Sequence, residues 1–112
     1  MSLPNYLRAF RRSGAFSQAE LAYLMRLAQS SVLQAELYRK VPNANILIGS
    51  TIIFDRDPRE IFPEAYAHME TTIFHQASSL YRRLEAAGGL SIEAKLQLLT
   101  DLIRRLEHEQ GV

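Results

Sequence analysis

Cysteine and tryptophan are both missing from the 112 residues. The lack of thiols removes disulfides and thiolate metal sites together, which suits a reducing interior, and a cytoplasmic location is expected. Long apolar runs are missing too. Nothing approaches the roughly 18 consecutive apolar residues of a spanning helix, so no membrane partner is expected. Met1 to Arg12 carries Arg8, Arg11 and Arg12 rather than a basic head followed by an apolar block, so a secretory signal is not expected either.

The grammar of catalysis is equally thin. No glycine-rich phosphate loop, HExxH pair or serine at a strand-to-helix turn is present, and the acids are spread singly. An enzyme is not expected, nor is a cofactor. His68 and His75 stand seven apart, about 10 Å by helical rise, too far for both to hold one ion without a ligand from elsewhere, so no metal is expected. Glu64 and His68 fit a helix-surface pair instead.

What is present is 47% hydrophobic and 22% charged residues, ordinary for one globular domain with a short helical appendage. The net charge of +1 hides an asymmetry. Up to Phe62 there are eight Arg and Lys against five acids; from Pro63 onward, five against seven. The front half can face phosphate and the back half is repelled by it.

Apolar residues recur every three or four positions, and no stretch alternates cleanly over strand length, so the chain reads as all-α. A first helix is expected over about Leu3 to Ser13, ended by Gly14. Ser17, with Glu20 three residues on and Phe16 able to staple onto Leu21, marks the start of a second, running to about Met25. A connection over Arg26 to Gln29 leads to a third helix, about Ser30 to Leu37, anchored inward by Val32. Asn43 can cap a fourth, whose Ile46, Leu47, Thr51, Ile52 and Phe54 suggest a buried central helix, with Gly49 allowing close packing. Asp57, Pro58 and Glu60 repeat the start grammar for a short fifth helix, Pro58 to Phe62.

Beyond Pro63 the pattern lengthens. Tyr66, Met69, Ile73, Ala77, Leu80 and Leu84 form a stripe that Gly88 and Gly89 end. Ile92, Leu96, Leu99, Ile103 and Leu106 then recur at coiled-coil spacing, with Leu98 and Leu102 widening the apolar face. The expected architecture is a first domain over 1–63 and a C-terminal helical hairpin over 64–112. That hairpin can join two copies into a homodimer or pack on the first domain.

The run Ser17, Gln18, Ala19, Glu20, Leu21, Ala22, then Ser31, Val32 and Glu36, Val41 and Pro42, Ile53, Phe54 and Asp55, and finally Arg59 to Pro63, resembles the Cro/C1-type (Xre-like) helix-turn-helix family over about Asn5 to Tyr66. The resemblance implies a five-helix, lambda-repressor-like domain whose third helix enters the major groove of duplex DNA while the second crosses the backbone. By position, Gln29, Ser30 and Gln34 fall at base-contacting places, and glutamine can offer adenine a donor and an acceptor together. Gln18, Arg39, Lys40 and Asn43 fall near the sugar-phosphate backbone. Arg11 and Glu36 occupy the positions of a structural ion pair. The implied function is transcription regulation.

The sequence departs from the family at informative places. Leu33 stands where a polar or basic side chain usually faces DNA, and no Arg or Lys lies between Arg26 and Arg39. Ala35 is small where a bulky residue usually packs. Tyr38 replaces the usual glycine or asparagine, and a left-handed backbone there is costly for it. Leu33, Leu37 and Tyr38 also suit a protein partner, so a protein-interaction module on the same scaffold is the alternative reading.

Overall fold

The computed structural model describes residues 4–37, 41–89 and 91–109, and among them there are seven helices and no strand. They are α1 (Leu7–Ser13), α2 (Gln18–Met25), α3 (Gln29–Glu36), α4 (Ala44–Phe54), α5 (Pro58–Ile61), α6 (Pro63–Ala87) and α7 (Ile92–Glu109). None of these helices is long and apolar enough to cross a membrane. The chain divides into two compact units between Ala67 and His68, inside α6. This is four residues beyond the break expected after Pro63. The first turn of α6 belongs with the first unit because Ala65 packs on its core and the Arg59 guanidinium lies 5.1 Å from the centre of the Tyr66 ring.

The helix starts follow local rules. Ser17 Oγ accepts from the Glu20 amide while Glu20 returns a carboxylate oxygen to the Ser17 amide, closing a capping box on α2. The amide of Ile46 donates to Asn43 at the start of α4, and that of Arg59 to Asp57 at the start of α5. The start of α1 moves from the expected Leu3 to Leu7. There the Leu7 amide donates to Asn5 Oδ1, and the Tyr6 amide is drawn away to Ile61 O at 2.8 Å.

The long helix α6 ends at Ala87 before a left-handed Gly88, as expected, and α1 ends at Ser13 as expected, but the left-handed residue after α1 is not its glycine. Gly14 keeps a right-handed backbone at φ −85°, and the left-handed residue is Ala15 at φ 61°. The Phe16 amide reaches Arg11 O and the Ala15 amide reaches Arg12 O, the paired bonds of a Schellman ending. Gly14 instead serves space, since a Cβ there would meet the Phe16 ring at 3.1 Å. Arg26 closes α2 in the same left-handed way, with Leu27 N on Ala22 O and Arg26 N on Tyr23 O.

In the first unit Leu7, Leu21, Ala22, Val32, Ala35, Ile46, Ile61 and Phe62 form a buried cluster fed by all of α1 to α5 except the outer faces. Gly49 lets α4 lie against α2, for a Cβ there would come within 2.7 Å of Met25 Sδ. The fourth helix is not buried all round as its apolar density suggested. It hides Ile46 and Ser50 but leaves Ile48 and Ile52 exposed, because only one side of it meets the core.

In the second unit α6 and α7 together line a cavity of about 310 Å³ between Tyr81 and Thr100, Ile103, Arg104 and Glu107. Of the two expected stripes, Ala77, Leu99 and Leu106 are buried. Met69, Ile73 and Leu80 of α6 and Leu98 of α7 are exposed.

Candidate nucleic-acid interface

Everything that fixes α3 in place lies on one side of it. At 3.6 residues per turn, Val32, Ala35 and Glu36 share an inward face, and all three are buried. Ser30, Leu33, Gln34 and Leu37 fall on the opposite stripe. The helix begins at Gln29, one residue earlier than expected, and ends at Glu36. Its N-cap is Ala28, which brings no side-chain bond. The start is set instead by the left-handed Arg26, which turns the chain sharply out of α2, and by Leu27 packed against the core.

A polar network locks the inward face. Arg11 Nε donates to Glu36 Oε2 at 2.6 Å, and Arg11 Nη2 to Oε1 at 3.1 Å. The same guanidinium donates through Nη1 to Phe16 O at 2.9 Å, so one side chain ties α1, the loop after it and α3 together. Gln18 Nε2 adds a third donor to Glu36 at 3.1 Å, and Arg8 Nε approaches at 3.5 Å. At the far end Asn5 Nδ2 donates to Ala35 O at 2.9 Å. Burial alone pushes the Glu36 carboxyl up. The hydrogen bonds of Arg11 and Gln18, the charge of Arg11 and the bond from Arg8 outweigh it and hold the carboxyl below its ordinary value. The bond to Glu36 raises the Arg11 guanidinium in turn, against the opposing effect of its own burial.

The expected site residues fall in three groups. Gln29 and Ser30 are exposed in the first turn of α3, with Ser30 central on the outer stripe and Gln29 to its side. Gln34 is half-buried and, with Ser30, Ser31, Val41, Asn43 and Ile46, lines a groove of about 340 Å³ between α3 and the start of α4. Asn43 is exposed, its Oδ1 engaged as the cap of α4. Gln18 is turned toward Glu36, so one of its two amide protons is already committed. Arg39, Lys40 and Tyr38 lie outside the described residues. Leu33 and Leu37 are 37% and 36% exposed on the same stripe as Ser30 and Gln34.

Three contributors were not visible as such in the sequence. Asn5 and Arg8 sit 30 and 28 residues from their partners, and no local spacing announces such contacts. Arg26 carries a conformation that residue preferences assign to glycine. Only Asn5 left a local trace, a short polar side chain two residues before the first helical amide. Among the described residues no cluster of His, Asp and Glu is placed to hold a metal ion. No family model, curated protein or solved structure matches the chain.

Proposed function

We infer that this protein is a small cytoplasmic transcriptional regulator that binds duplex DNA through α3. In this reading α2 and α3 are the helix-turn-helix of a five-helix, lambda-repressor-like domain of the Cro/C1 (Xre-like) kind. The second helix crosses the backbone and the third enters the major groove. Gln29, Ser30 and Gln34 contact bases; Gln18, through its remaining amide proton, and Arg39, Lys40 and Asn43 contact the backbone. Arg11 and Glu36 carry no readout. They hold the reader still.

The observation that supports this most is the asymmetry of α3. Its back is fixed by a buried ion pair and three further hydrogen-bonding side chains, while its front is polar in part, solvent-facing and continuous with an open groove. A helix held this firmly with its outer stripe free is suited to entering a groove without rearranging, which keeps the entropic cost of binding low. The second unit, on the same reading, is a helical hairpin that joins two copies. Their recognition helices then address half-sites about one helical turn, roughly 34 Å, apart.

The alternative is a protein-interaction module on the same scaffold. The exposure of Leu33 and Leu37 on the outer stripe favours it. A salt titration of the full chain on random duplex DNA separates the two. DNA binding gives an affinity that falls linearly on a log-log plot against salt, with a slope set by a handful of phosphates. No measurable affinity at low salt leaves the interaction module standing.

A further inference from the structure

The outer stripe of α3 has a narrow chemical inventory. Ser30 offers a hydroxyl, Gln34 a carboxamide, and Leu33 and Leu37 only apolar surface, with no Arg or Lys anywhere from Leu27 to Tyr38. The Gln34 carboxamide is uncommitted among the described residues, in contrast to that of Gln18, which is bonded to Glu36. Leu33 lies beside Gln34 on the stripe and is 37% exposed.

Base pairs do not reward this inventory equally. In the major groove guanine presents two acceptors, N7 and O6, best met by the paired donors of Arg or by Lys, and the stripe has neither. Adenine presents an acceptor beside a donor, which one carboxamide matches with its own donor and acceptor. Thymine alone carries a methyl group, the only major-groove feature that a leucine can contact favourably. Against a G·C pair Leu33 would cover polar atoms without replacing their hydrogen bonds with water.

Resting on the DNA-binding reading above, we propose that α3 selects A·T pairs, with Gln34 on adenine and Leu33 against a thymine methyl as the specificity-determining residues. The same leucine that counts against DNA binding when a basic helix is the standard is then part of the readout. Because the selection is made in the major groove, it depends on the methyl and on adenine N6 and N7, not on the width of the minor groove.

Competition binding of the full chain to four short duplexes of equal length tests this. They are alternating A·T, alternating G·C, the A·T duplex with uracil in place of thymine, and inosine·cytosine. The last has the minor groove of A·T but a major groove like that of G·C. Expected are about tenfold tighter binding to A·T than to G·C, as one bidentate contact provides, a several-fold loss with uracil, and inosine·cytosine behaving as G·C. Leu33→Ala abolishes the uracil penalty while leaving the salt slope unchanged, and Gln34→Ala narrows the gap between A·T and G·C. Equal or reversed preference, no uracil penalty, or inosine·cytosine behaving as A·T overturns the base selection while DNA binding itself stands. No binding to any duplex overturns both.

Discussion

The two units of the chain spend their apolar residues differently. Residues up to Ala67 bury eight hydrophobic side chains in one cluster, five of them with no more than 1% of their surface accessible, and add the buried Arg11, Glu36, Asn5 and Ser50. In the remainder Ala77, Leu99 and Leu106 are the buried hydrophobics among the described residues, and each keeps 5–8% of its surface open. A buried apolar cluster with the hydrogen-bonded network around Glu36 defines one arrangement and penalises its neighbours, although the buried Ser50 hydroxyl has no partner among the described residues. Two amphipathic helices that leave Met69, Ile73, Leu80 and Leu98 exposed have apolar surface still to cover. Exposed apolar side chains occur in the first unit as well, Tyr23, Leu24, Ile48 and Ile52 among them, so the units differ in how much they bury and not in whether they leave apolar surface open; the first is the part able to hold a surface still.

The strongest way to break that contrast is through Glu36. Glu36→Gln leaves the buried Arg11 guanidinium without its counter-charge and should cost the first unit about 3–5 kcal/mol, read from the urea midpoint. A loss below about 1 kcal/mol would show that the network is not what fixes α3. The same residue sets an acid dependence. Its folded-state pKa lies below the ordinary 4.5, so the carboxylate contributes its full stability above that value and loses it as pH falls through the lower folded-state value. The acid limb of the wild-type stability profile should flatten in Glu36→Gln; an unchanged limb would assign the acid sensitivity to other carboxylates.

A pair of leucines sharpens the contrast. Leu21 is fully buried, and Leu21→Ala should cost about 2–5 kcal/mol. Leu98 is 64% exposed, and Leu98→Glu should shift the stability of the isolated chain by no more than about 0.5 kcal/mol. Its effect should appear elsewhere. If the exposed apolar face of α7 joins two copies, sedimentation of Leu98→Glu should read a monomer where the unaltered chain reads a dimer. An unaltered mass would move the dimer contact away from this face.

How far the residues announce this structure depends on the range of the interaction. Ser17, Asn43 and Asp57 mark three helix starts because a cap bonds to an amide two or three positions away, within reach of a local pattern. The ends of α1 at Ser13 and α2 at Met25 fall where expected, but the left-handed residues beyond them, Ala15 and Arg26, were not legible, since backbone preference points to glycine and the choice was made by Phe16 and Leu27 reaching back to close each helix. Apolar density in α4 was visible but its exposure was not, because density does not say how many sides a helix shows to the core. Arg11 and Glu36 were singled out by resemblance, whereas Asn5 and Arg8 join across 30 and 28 residues with no local signal. The outer stripe Ser30, Leu33, Gln34 and Leu37 follows from helical spacing once Val32 is known to point inward. What that stripe binds does not follow from spacing at all.

The smallest expected effect contrasts the two units through their backbone. Ala15, in the first unit, and Gly88, in the second, both hold left-handed backbone, at φ 61° and φ 66°. Ala15 bears the Cβ strain of that geometry, so Ala15→Gly should stabilise the first unit by about 0.5 kcal/mol once the greater freedom of glycine in the unfolded chain is subtracted. Gly88→Ala should destabilise by about 1 kcal/mol, although nothing lies within 4 Å of where its Cβ would sit, because the strain comes from the backbone and not from crowding. Thermal midpoints of the two variants are the measurement. Opposite signs identify the strain as local to each turn. If Ala15→Gly is destabilising, the rigidity of the loop between α1 and α2 matters more than its strain, and the Arg11 bond to Phe16 O is then the contact that the added freedom weakens.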